Sequence, residues 1–171
     1  MRESLSCLVV EGLVVGEDRR GFRVAPMTEA DLPDLPQDIE LLAVTTSVRR
    51  GDDLWEADLV RAFRHMKLLT PGSPNYLVER STRHQASRET LGSACGSPRL
   101  LHLRRQLVDQ FMRYQRIAPR HVACSAVHDT DHKKLLDATL ARDSRKCEAL
   151  IRAHIRMLDV IVEAVRPLNK R

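Results

Sequence analysis

Apolar positions along this chain follow two rhythms. In the first two dozen residues, Leu5, Leu8 and Val9 form one stripe of a short helix over residues 2–10, closed by Glu11-Gly12. Leu13-Val14-Val15 and Phe22-Arg23-Val24 then flank a charged, Gly-containing loop, Gly16 to Gly21. Short apolar runs on either side of such a loop predict a β-hairpin. Beyond Pro26 the helical period takes over. Thr28 and Asp31 make an N-cap signature, Pro33 is tolerable in a first turn, and Pro36 breaks or restarts the helix. The pattern resumes from about Gln37 to Arg50 and ends at Gly51.

Asp52-Asp53 caps a helix to Leu68 or Leu69, with Trp55, Leu59, Phe63 and Met66 on its buried stripe. Thr70 to Asn75 is a loop, and a helix from Leu77 to Cys95 stops at Gly96. Ser97-Pro98 caps the next helix, to about Ile117, whose Leu100, Leu103, Leu107 and Phe111 are expected to face inward. Pro119 marks a break before a helix from about Val122 to Arg142. Asp143 caps the last one, whose stripe runs Leu150, Ile151, His154, Ile155, Leu158, Ile161, Val162, Val165.

The fold class is therefore all-α, an antiparallel helical bundle behind the remnant of a winged helix-turn-helix with a small β-hairpin wing. A helix that stops at Gly and enters a basic-tipped hairpin is how a winged helix ends. Residues 1–26 form that partial domain and residues 27–171 the helical one. A winged helix needs at least one more helix ahead of this point to cover the apolar side of the first, so the chain reads as truncated.

Composition narrows the class. The chain has 171 residues, 43% hydrophobic but only 4% aromatic, which suits Leu/Ala/Val-rich helices better than a β-sandwich. No apolar run approaches the ~20 residues of a membrane span, and no signal peptide opens the chain. A cytoplasmic protein with no membrane partner is expected. Cys7, Cys95, Cys124 and Cys147 are far apart and lack a C-x-x-C pair, so they read as reduced, mostly core-filling thiols.

The net charge of +5 is unevenly spread. Residues 27–78 hold nine acidic against five basic side chains, whereas residues 79–123 hold nine basic against three acidic. Few aromatics accompany the basic segment, so it reads as solvated helix faces rather than a nucleic-acid groove. DNA contacts are expected instead from Arg2, Arg19, Arg20, Gly21 and Arg23.

Three histidines fall on inward positions. His154 lies among Ile151, Ile155 and Leu158, and His132 precedes Leu135 and Leu136. His84 shares a face with Arg88, Leu91 and Cys95. One inward histidine is ordinarily a satisfied core residue. Three from three helices of one bundle point to a metal site for zinc, nickel, manganese or iron. An enzymatic reading is set aside. Asp129, Asp131 and His132, or Cys124 with His128, have no oxyanion hole or Gly-rich phosphate cradle beside them in the sequence.

The chain also resembles a known family. Arg2-Glu3-Ser4-Leu5-Ser6-Cys7-Leu8, Glu11-Gly12-Leu13-Val14 and Arg20-Gly21-Phe22-Arg23-Val24-Ala25-Pro26 look like the end of the recognition helix and the wing of GntR-type bacterial transcription regulators. His84-Gln85-Ala86-Ser87-Arg88, Ala94-Cys95-Gly96-Ser97-Pro98, Asp131-His132 and Ala153-His154-Ile155 resemble the all-helical FCD domain of the FadR/VanR branch. The resemblance implies a homodimer whose bundle binds a small carboxylate effector and thereby shifts the affinity of paired winged domains for operator DNA. It also implies a divalent metal held by His132, His154 and a polar pair four residues apart on an earlier helix.

That pair reads His84 and Arg88 here, so its second member cannot ligate a metal. Two outcomes follow: three histidines still bind a metal, or Arg88 holds an anionic ligand directly. Pro36 replaces an Arg that often helps hold the effector in the family, and Arg113 is a further candidate for reaching an acid. The alternative function is a truncated ligand-binding and dimerisation module with no operator preference. Only part of a recognition helix precedes the wing, so weak or no specific DNA binding is expected of these 171 residues.

Overall fold

The computed structural model describes residues 2–10, 12–17, 21–25, 35–69, 76–117 and 127–156. Among them are helix α1 (Arg2–Val10), strands β1 (Val14–Glu17) and β2 (Gly21–Val24), and six further helices. These are α2 (Leu35–Arg50), α3 (Asp53–Lys67), α4 (Tyr76–Gly92), α5 (Pro98–Ile117), α6 (Val127–Leu140) and α7 (Ser144–Arg156). The Thr28 cap, the Thr70–Asn75 loop, Pro119 and the stripe beyond Arg156 lie outside the described residues.

The helix and hairpin at the start form as expected. Gly12 N–H and Leu13 N–H donate to the Val9 and Leu8 carbonyls, closing α1 before the chain turns into β1. The strands are antiparallel, pairing Val14 with Val24 and Glu17 with Gly21, and Arg23 meets Glu17 across them at 2.6 Å.

Helix α2 is the centre of the bundle, packing on α4, α5, α7 and the short 3-10 turn Ser93–Cys95. Its buried residues, Glu40, Leu41, Ala43, Val44, Ser47 and Val48, recur at helical spacing and cover more than one face. Pro36 sits in its first turn, where a missing N–H costs no helical bond. Asp52 caps α3 by accepting from the Trp55 N–H, and Trp55, Leu59 and Met66 are buried as the stripe required. A β-carbon at Gly51 would fall inside the Trp55 ring. Gly96 ends the 3-10 turn in the left-handed region at φ 72, and the Ser97 hydroxyl caps α5.

Two details differ from the sequence expectation. Helix α5 turns Arg104 and Val108 inward and leaves Leu103 38% exposed. The reason is Arg104, which is drawn onto a buried carboxylate and sets the rotation of the helix. Helix α6 stops at Leu140, and Arg142 adopts φ 56 in the turn before α7. Its side chain donates to the Val48 carbonyl, pairs with Glu56, and lies 5.4 Å over the Trp55 ring. Asp143 then caps α7 by accepting from Lys146 N–H. Cys95 and Cys147 are buried and Cys7 is exposed, while Cys124 lies outside the described residues. No described helix is long and apolar enough to cross a membrane.

Candidate effector and metal site

The three inward histidines meet. His84 comes from α4, His132 from α6 and His154 from α7; Leu135 and Leu136 follow His132 by one turn, and Ile151 precedes His154 by one turn. His84 Nε2 and His132 Nε2 are 2.8 Å apart, and the His132 and His154 ring centroids are separated by 5.0 Å. One ring nitrogen of each residue lies within 4.8 Å of the others. An ion with bonds of about 2.0–2.1 Å places neighbouring nitrogens about 3.3 Å apart in a tetrahedron. His84 and His132 stand at hydrogen-bond distance, somewhat closer than that spacing, all three nitrogens lie within 4.8 Å, and an all-nitrogen donor set suits a borderline divalent cation. They therefore fit such an ion.

His132 and His154 line a cavity that Arg88 also lines, together with Glu40, Leu59, Phe63, Leu91 and Ile155. Arg88 is turned to Glu40, with Nη2 at 3.2 Å and Nε at 3.4 Å from Oε1. Arg104 takes the same carboxylate as a fork, Nε to Oε2 at 2.5 Å and Nη2 to Oε1 at 2.9 Å. It also donates to the Arg88 carbonyl. Burial alone would push the Glu40 carboxyl up. The charge of Arg88 and the hydrogen bonds and charge of Arg104 outweigh it and bring the pKa from 4.5 down to about 2.

Sequence reasoning brought the three histidines and Arg88 to one place and missed Glu40 and Arg104. The available signal was their position: opposite charges at inward places on α2 and α5. The side chains of Arg113 and Arg2, and all of Arg19 and Arg20, lie outside the described residues. Gly21 opens β2 at φ 90, a backbone shape that favours glycine.

The chain is similar to known proteins in sequence and in fold. The FCD domain model matches residues 31–157. The HTH-type transcriptional repressor GlaR of Escherichia coli (strain K12) is 38% identical, over 91% of this chain and 74% of its own length. An uncharacterized HTH-type transcriptional regulator, BphR of Paraburkholderia xenovorans (strain LB400), is 36% identical over 91% of this chain and 66% of its own. Among solved structures, E. coli McbR/YncC superposes with a TM-score of 0.76 at 19% identity, covering 98% of this chain and 84% of that one. A GntR-family regulator from Pseudomonas syringae pv. tomato str. DC3000 gives 0.66 at 19% identity, covering 98% and 72%. With its domain matched over most of its length and relatives that are transcriptional regulators, the chain belongs to the FCD-domain branch of the GntR-type transcriptional regulators.

Proposed function

We propose that this regulator senses a small carboxylate in the cavity of its helical bundle, and that His84, His132 and His154 hold a divalent cation there. The supporting observation is the convergence of one nitrogen from each of three helices within 4.8 Å. Such an ion supplies a Lewis-acid contact for a carboxylate oxygen. The chain's own residues do the rest. Arg88 offers a second cationic contact, and Leu59, Phe63, Leu91 and Ile155 exclude water from an apolar body. Glu40 takes up part of the Arg88 charge that would otherwise repel the ion. The effector acts on a homodimer, in which Arg2, Arg19, Arg20 and Gly21 of each wing region face operator DNA, and only unequal binding to two dimer states shifts DNA affinity.

The test is calorimetric titration of chelator-stripped protein with zinc, nickel or manganese chloride. One ion per chain is expected, and His132→Ala or His154→Ala abolishes uptake. No uptake by the unaltered protein would overturn the metal reading. A direct Arg88–carboxylate contact without metal is the second reading, favoured by the net positive charge of the Glu40, Arg88 and Arg104 cluster.

A further inference from the structure

Three charges gathered beside the cavity, two of them buried and the third half-buried, do not cancel. Glu40 is one anion and Arg88 and Arg104 are two cations. Among the described residues, Glu40 is the sole carboxylate within ion-pair reach of either guanidinium. The two arginines share it unequally. Arg104, 5% exposed at its side chain, holds both oxygens at 2.5 and 2.9 Å. Arg88 reaches only Oε1, the oxygen that Arg104 already uses, at 3.2 and 3.4 Å. Its Nη1 has no acceptor among the described residues. A guanidinium presents five N–H donors in a rigid fork, so Arg88 is a half-buried cation with most of its donors unspent on protein partners among the described residues. It lines a cavity whose wall is otherwise mainly apolar, where a charge-assisted hydrogen bond is strong.

We propose that Glu40 is a resident carboxylate that competes with an incoming anion for Arg88, so that filling the cavity exchanges the α2–α4 ion pair for a ligand contact. The Arg104 fork stays closed during this exchange, because it holds Glu40 by two shorter bonds and by a bond to the Arg88 carbonyl. The Arg104–Glu40 pair between α5 and α2 thus persists, and only the direct Arg88–Glu40 pair between α4 and α2 is conditional. Glu40 lies in the second turn of α2, the first described helix after the hairpin, so the exchange is felt at the end of the bundle that faces the wing in sequence. Glu40 also sets selectivity. A neutral isostere has no charge with which to displace it, and only an anion wins Arg88 away. This inference rests on the reading that the cavity accepts a carboxylate.

Benzoate, an anion with an apolar body, is the probe, with benzamide as the uncharged control. Binding is measured calorimetrically on the full chain, stripped of metal and again after zinc loading, for the unaltered protein, Glu40→Gln and Arg88→Gln. The expected result is benzoate binding without benzamide binding, loss in Arg88→Gln, and roughly tenfold tighter binding in Glu40→Gln, the worth of one charge-assisted hydrogen bond. A crystal structure of the unaltered protein with benzoate makes the test independent of how well Glu40→Gln folds: Arg88 leaves Glu40 while Arg104 keeps it. Benzoate binding that needs Arg88 but leaves the Arg88–Glu40 pair intact overturns the inference and spares the carboxylate reading. No benzoate binding by any variant, stripped or loaded, overturns both.

Discussion

Trp55 of α3 donates its indole N–H to the carbonyl of Thr90 on α4, at 2.8 Å, while its ring lies against the backbone of Gly51. One residue thus joins the α2–α3 turn to the helix that carries His84. Trp55→Phe should lose about 1 kcal/mol for the hydrogen bond and somewhat more for the lost ring volume. Gly51→Ala should cost about 1–3 kcal/mol by overpacking. Urea unfolding monitored by circular dichroism measures both, and a neutral Gly51→Ala would mean the ring does not sit there.

The Glu40 carboxyl makes stability depend on pH in one direction. Its folded pKa of about 2 lies below the ordinary 4.5, so its contribution is fully present above pH 4.5 and is lost as pH falls toward 2. Glu40→Gln should flatten the acid limb of a stability–pH curve. It should also cost about 3 kcal/mol at neutral pH, because two guanidinium groups lose their shared partner. An unchanged acid limb would place the titrating group elsewhere.

Rotation of α5 is testable with two leucines. Leu91 of α4 is 7% exposed in the core and Leu103 of α5 is 38% exposed. Leu91→Ala should cost about 2–5 kcal/mol. Leu103→Ala should cost less than about 1 kcal/mol. Equal losses would mean that α5 turns its leucine face inward after all.

The wing prediction concerns DNA. Anisotropy of a labelled duplex carrying the regulator's own promoter region should report weak, salt-sensitive binding by this chain. Replacing Arg19 and Arg20 by Ala should lower the slope of log affinity against log salt by up to about two. A slope indifferent to both changes would remove the wing tip from the DNA contact and favour a ligand-binding module.

Much of this was legible because much of it is local. Gly51, Asp52, Ser97 and Asp143 end or begin helices through bonds to residues at most four positions away, Gly96 ends its turn by a left-handed backbone, and sequence reading found each. The three histidines were legible too, since apolar neighbours at helical spacing dictate which way a ring points. What escaped depends on partners far along the chain. Counting leucines on α5 put Leu103 inside, but Glu40, 64 residues from Arg104, outbids a leucine stripe by offering a buried charge its counter-charge. The end of α6 was also placed too late, because the left-handed Arg142 is held by contacts to α2 and α3 that no local pattern encodes.

That turn has a bearing on the cavity it does not touch. His132 and His154 sit on α6 and α7, and the turn joining these helices is tied by Arg142 to Val48 and Glu56. The spacing of two imidazoles is therefore gauged from outside, like the jaws of a calliper set by its screw. Inserting one residue after Arg142 would shift α7 against α6 out of the register this tie sets, carry His154 off the cavity wall, and leave the fold's apolar inventory unchanged. In this bundle, the placing of two histidines is written in the length of a turn.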